Sequence, residues 1–139
     1  MYYPPTPLNK QVYDYMTKVK DIDPTAAFAM TKKGALLIDV REAREVKRTA
    51  FDVDEVMLVP MSRFSSMMKE IPTNRKVILA CHTGSRSIMA ARMLEKHGHK
   101  RVLNMQYGIA KWERTGLPVK KAPKQPPFAW LKKLFGKQS

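Results

Sequence analysis

The chain has 139 residues, enough for one domain whose folding buries roughly two-thirds of the unfolded surface, so neither a disulfide nor a metal staple is required. A single cysteine excludes an internal disulfide, and no apolar run approaches the ~20 residues that span a bilayer. Lys and Arg number 26 against 12 Asp and Glu, and the resulting formal net charge of +14 favours anionic substrates or partners.

The amino terminus, MYYPPTPLNK, lacks the basic start and apolar centre of a secretory signal, so the expected compartment is the reducing cytoplasm. Val12, Tyr15, Met16 and Val19 recur at helical spacing and predict a helical extension over residues 1–19. In DPTAAFAMTKKG, Asp23 is a natural N-cap, Pro24 suits the first turn and Gly34 supplies a stop. ALLIDV, 35–40, reads as a buried strand, and EAREVKR, 42–48, reads as a helix. VMLV, 56–59, closed by Pro60, predicts a second strand, and SRFSSMMKEI a short helix ended by Pro72. KVILAC, 76–81, is a third buried strand. From Ser85 to His97 helix formers dominate, with Met89 over Met93 and Ala90 over Leu94, until Gly98. RVLNM, 101–105, is a fourth strand. No internal repeat is evident.

Short, continuously apolar strands alternating with helices predict an α/β fold with a parallel sheet covered on both faces. Ligands of such sheets bind beyond the carboxyl ends of the strands, where Asp39, Arg41 and Cys81 fall. After Cys81 the HTG of CHTGSRS must turn sharply into a helix, and Gly84 permits a positive φ. Unpaired amides at the helix start, together with Arg86, then form an anion cradle around the sulfur. Such surroundings bring a thiol from ~8.5 to roughly 3.5–7.5, so Cys81 is expected to be largely thiolate at neutral pH. An isolated cysteine is more often an inert core residue, but a core residue has no need of a glycine, hydroxyls and an arginine directly after it.

Three blocks, LLIDVRE at 36–42, VILACHTGSRSIMAARML at 77–94 and YGIAKWERTGLPV at 107–119, resemble the rhodanese family of single-domain sulfurtransferases. The resemblance covers about residues 20–119 and implies a three-layer sandwich: a mostly parallel five-stranded sheet with helices on both faces. It implies that Cys81 takes sulfane sulfur from a donor such as thiosulfate and holds it as a persulfide. The sulfur then passes to cyanide, a thiol or a protein cysteine. Carried over by position, the amides of His82, Thr83, Gly84, Ser85, Arg86 and Ser87 cradle the persulfide, and Arg86 neutralises the donor. No cofactor is implied. The chain departs from the family at AFDVDEVMLVP, where relatives usually show a G-H-I-P-G-A-type segment, and at Gln106, Tyr107 and Gly108, where they often have paired glycines before the last helix; both departures bear on the rim of the pocket and hence on the substrate.

Rhodanese-fold phosphatases resemble the same pattern but carry C-x5-R; in this chain only four residues separate Cys81 from Arg86 and the longer spacing meets Ser87, so sulfur transfer fits better. Arsenate reduction on the same fold is not separated by the loop alone. With no second thiol to resolve a persulfide, the sulfur must leave to an external acceptor. Two rival readings are a carrier that relays sulfur between proteins without turnover and a silent interaction domain. Asp39 and Arg41 read best as a structural ion pair between loops. His82 is either an anion ligand or a solvated loop residue. Ser85 reads as the helix N-cap, and Ser85 and Ser87 could each also bond sulfur. His97 and His99 lack further ligands for a metal, and Trp112 reads as core. Residues 120–139 form a basic tail in which Phe128, Leu131, Leu134 and Phe135 could share one face. Such a segment can lie on an anionic membrane surface or in a partner's groove. Nucleic acid is the weaker partner, since no recognised module accompanies the charge.

Overall fold

The described part of the protein, in a computed structural model, is residues 19–123. The helical extension read over residues 1–19 and the amphipathic face of the tail therefore lie outside the described residues, apart from Val19. Seven strands form: β1 Lys20–Ile22, β2 Leu36–Asp39, β3 Thr49–Phe51, β4 Val56–Leu58, β5 Val77–Ala80, β6 Val102–Met105 and β7 Val119–Lys121. The helices are α1 Pro24–Lys32, α2 Ala43–Arg48, α3 Phe64–Met67, α4 Ser85–Lys96 and α5 Gly108–Arg114. The main sheet has the order β1-β6-β5-β2-β4 with every neighbouring pair parallel, while β3 and β7 form a separate antiparallel ribbon. This is the α/β sandwich that the apolar strands predict. None of the described helices is long and apolar enough to cross a membrane.

Side chains alternate across a strand, so each central strand feeds two cores. Leu36, Ile38 and Val40 of the first, with Val77 and Leu79 of the second, join Phe64, Ala90, Ala91 and Leu94 on one face. Leu37, Ile78 and Ala80 face the other way, against Ala27, Phe51, Ile109 and Trp112. Trp112 is fully buried, meets Phe28 and Phe51 edge-on at 5.5 and 5.0 Å, and donates its indole N–H to the Pro118 carbonyl at 2.9 Å. One more step of the β5 alternation puts Cys81 in the first core, beneath α4.

Local signals explain most boundaries. Asp23 accepts the Ala26 amide at 2.8 Å and caps α1, and Pro24 occupies its first turn. Glu42 and Glu45 form a reciprocal capping box that starts α2. Three readings are corrected. The N-cap of α4 is Gly84, not Ser85: Gly84 sits at φ +105 and Ser85 is the first helical residue. The segment SRFSSMMKEI is not one helix but a single α-turn flanked by 3-10 turns, 61–63 and 68–70. The block YGIAKWERTGLPV, 107–119, which resembles the family's closing helix, is helical only over Gly108–Arg114, and its last residue, Val119, belongs to β7. β1, β3 and β7 carry no apolar run to betray them; β1 is held to β6 by backbone pairing and by Asn104 donating to Asp21 at 2.9 Å.

Gly108 has the tightest steric requirement of the fold. At φ +57, a Cβ there would collide with the carbonyls of Cys81 and His82, whereas a Cβ at Gly34, at φ +100, would meet open space. Gly108→Ala is therefore expected to lower unfolding stability by about 3 kcal/mol, the sum of left-handed strain and overpacking. Gly34→Ala should cost only about 1 kcal/mol from strain alone. Urea midpoints of the two variants, at unchanged slope, check the ordering.

Candidate active site

The site lies at the carboxyl ends of β2 and β5, where backbone bonds prolong the sheet past the last strand residues: Val40 N–H donates to the Ala80 carbonyl and Val59 N–H to the Asp39 carbonyl, both at 2.9 Å. Cys81 is fully buried here. The chain turns at once into α4, and the turn wraps amides round the sulfur. Gly84 N–H donates to Sγ at 3.0 Å and Ser87 N–H at 3.4 Å. The Ser87 side chain is also buried and its hydroxyl donates to the Gly84 carbonyl at 3.2 Å, bracing the turn. Burial pushes the Cys81 thiol up. The Ser87 hydroxyl and the amides of Ser87, Gly84 and Arg86 outweigh it and leave the thiol below its ordinary value.

The six loop residues are thus not equivalent. Gly84, Arg86 and Ser87 present amides to the sulfur, while His82, Thr83 and Ser85 are exposed. The Arg86 guanidinium is engaged elsewhere, in a bidentate pair with Glu45 at 2.8 Å for both bonds. Glu45 also accepts the Glu42 amide at 2.9 Å. The guanidinium beside it holds the Glu45 carboxyl at about 2, against an ordinary 4.5. Arg86 was expected to meet an incoming donor with its charge; that charge is already matched by Glu45.

Asp39 and Arg41 are both buried and bond each other, with Nη2 to Oδ2 at 2.8 Å and Nε to Oδ1 at 3.1 Å. Arg41 also donates to the Thr49 carbonyl at 2.9 Å, joining the end of β2 to the start of β3. The ion pair lies within one strand end, and the hydrogen bond to Thr49, not the ion pair, ties the two segments together. Away from the site, His97 takes the Met93 carbonyl as its partner and His99 is buried, its basicity lowered by that burial and by His97.

Beside the loop opens a cleft of about 700 Å³ lined by Arg41, Glu45, Arg48, Thr49, His82, Ile109, Ala110, Glu113 and Arg114. Its floor is the start of α5, whose Ile109 and Ala110 amides donate to the Cys81 and His82 carbonyls at 2.9 and 3.1 Å. Glu45, Arg48, Glu113 and Arg114 carry no motif spacing relative to Cys81, and sequence reasoning did not reach them. The one available signal for Glu45 was its place three residues after Glu42 in the capping box.

The rhodanese-like domain family matches residues 23–115. The chain is 37% identical over 84 residues to a sulfurtransferase of Allochromatium vinosum, covering 60% of this chain and 77% of that protein. It is 29% identical over 104 residues to a thiosulfate sulfurtransferase of Actinobacillus pleuropneumoniae, covering 73% of this chain and 94% of that one. A solved rhodanese-related protein of Thermoplasma volcanium superposes with a TM-score of 0.64 at 25% identity, covering 73% of this chain and 97% of that chain.

Two outcomes follow from the geometry. The Glu45 carboxyl is depressed in the folded state, so its contribution to stability is complete above about 4.5 and is lost as pH falls toward about 2. Since both partners are about one-third exposed, solvent screening holds that contribution to about 1 kcal/mol. The melting temperatures of the native protein and Glu45→Gln should differ at pH 7 and converge toward pH 2. Ser87→Ala removes a hydroxyl that favours the thiolate. The rising limb of the pH profile for reaction at Cys81 should move to higher pH, as measured by the rate of sulfur loading.

Proposed function

The chain belongs to the rhodanese-like family, and on that premise we propose that it is a ping-pong sulfurtransferase in which Cys81 carries the transferred sulfur as a persulfide. The observation that carries this reading is the cradle itself: two amides within 3.4 Å of a sulfur whose thiolate they favour. The Cys81 thiolate attacks the outer sulfur of a donor such as thiosulfate. The S–S bond breaks, sulfite leaves with the bonding pair, and the new Cys81–S–S⁻ anion takes the place of the thiolate beside the same amides. An external nucleophile, whether cyanide, a thiol or a protein cysteine, then attacks the outer sulfur and restores the thiolate. The sulfur is fully buried, so a donor reaches it only when the loop around it opens.

The amides of Gly84, Arg86 and Ser87 supply the charge stabilisation in this reading. A loop of four residues between Cys81 and Arg86 is one shorter than phosphate-ester hydrolysis uses, and it encloses one sulfur closely.

Intact mass spectrometry tests the reading. After incubation with thiosulfate the protein should gain one sulfur, lose it to cyanide, and gain none as Cys81→Ser. Ready loading from a protein persulfide with poor turnover of thiosulfate and cyanide would assign the chain to the carrier instead. Loading of the serine variant would remove Cys81 from the mechanism. An aryl phosphate should not be hydrolysed.

A further inference from the structure

A second cleft opens at the amino ends of the central strands, at the far end of the sheet from Cys81. Its volume is about 470 Å³, and Lys33, Arg75, Lys76 and Arg101 line it together with Met30 and Ala35, with no carboxylate in the wall. The charges come from three segments: Lys33 follows α1, Arg75 and Lys76 lead into β5, and Arg101 leads into β6. Backbone bonds hold these segments together, with Leu36 N–H donating to the Lys76 carbonyl at 3.0 Å and Val77 N–H to the Arg101 carbonyl at 2.9 Å. Arg75 is a strut: it bonds both carboxylate oxygens of Glu55, at 2.9 and 3.0 Å, and the Gly34 carbonyl at 2.9 Å. Its charge is thereby matched. Lys33, Lys76 and Arg101 are exposed, and none of them makes an ion pair among the described residues. Three unmatched cations facing one hollow repel each other, and an anion seated between them relieves that repulsion.

We propose that this cleft binds a small organic polyphosphate, of the class of a nucleoside diphosphate, with Lys33, Lys76 and Arg101 on the phosphates and the organic body against Met30 and Ala35. A polyphosphate concentrates several negative charges within a few bonds, which suits three cations converging on one place better than the spaced carboxylates of a peptide. Arg101 presents the planar fork that takes two phosphate oxygens at once, and the lysines act as point charges. The volume of about 470 Å³ falls in the range of sites that hold whole organic ligands, roughly 300–1,000 Å³. No sulfur passes through this site. Its occupant joins the end of α1 to the starts of β5 and β6 and, by binding only the folded chain, stabilises the domain.

Calorimetric titration of the full chain at low ionic strength, with ADP, adenosine, inorganic pyrophosphate and hexaglutamate as probes, tests the proposal. ADP should bind with a dissociation constant below about 1 mM, pyrophosphate more weakly, and adenosine not detectably. Added salt should weaken ADP, because the cations that hold it are exposed. Replacing Lys33, Lys76 and Arg101 together by alanine should weaken ADP at least about tenfold, an effect that three exposed charge contacts can supply. Lys33→Arg, Lys76→Arg and Arg101→Lys combined should keep most of the affinity, and Cys81→Ser should keep all of it. Circular dichroism of each variant separates loss of binding from loss of fold. No binding of ADP overturns the proposal, as does equal binding by the alanine variant. Loss of ADP binding in Cys81→Ser also overturns it, moving the anion to the thiol. Pyrophosphate as tight as ADP overturns the organic body, and hexaglutamate tighter than ADP assigns the cleft to an acidic protein instead. The sulfur-transfer reading stands in every case, since its readout is the mass gained at Cys81.

Discussion

Two peptide carbonyls hold the active edge together. The start of α5 has amides with no intrahelical partner, and Ile109 and Ala110 donate theirs to the carbonyls of Cys81 and His82. Those carbonyls are thereby fixed toward α5, away from the sulfur, and the amides that follow are free to turn inward onto it. Such a contact demands that the helix come close enough to exclude a side chain, and Gly108 stands at that point. The same crowding reaches α4, because a Cβ on Gly84 would lie 3.2 Å from the Tyr107 nitrogen. Gly84 and Tyr107 are the N-caps of their helices, and both are left-handed, at φ +105 and +67. A tyrosine in that conformation costs roughly 1–2 kcal/mol, a strain the paired helix starts must outweigh.

The resulting cradle is built of dipoles rather than ions. A buried thiol is pushed toward its neutral form, and for Cys81 the reversal of that tendency comes from the Ser87 hydroxyl and three backbone amides. Arg86 lies near enough for the thiolate to raise the guanidinium's own basicity, but its hydrogen bonds go to Glu45. Fixed amides stabilise a charge without reorganisation, and on the proposed mechanism the same dipoles face the charge when it moves from Sγ to the outer sulfur. Pairing with Glu45 leaves the loop's one arginine neutralised.

The sequence announced the fold wherever a signal was local. Asp23 and Pro24 mark α1, and the apolar runs of β2 and β5 can only be strands buried on both faces. β1, with the residues Lys20, Asp21 and Ile22, becomes a strand because β6 offers it an edge, and β3 and β7 exist only by pairing with each other. The cradle was legible because strand, glycine and helix start follow one another within a few residues. The Ser85 reading failed because a serine preference for caps is weaker than the need for a positive φ that only Gly84 satisfies without strain. Glu45 and Arg86 are 41 residues apart, and nothing short of the folded backbone brings them together.

A lone cysteine turns this arrangement into a constraint on traffic. Enzymes with a second thiol can discharge a persulfide internally; on the proposed mechanism the outer sulfur on Cys81 is reached by a nucleophile from outside. Sγ is closed to solvent, and of the loop residues His82 lines the neighbouring cleft. In the proposed ping-pong scheme donor and acceptor therefore meet the same sulfur in turn, and the amides that hold the thiolate before loading are the ones that hold the thiolate restored after it.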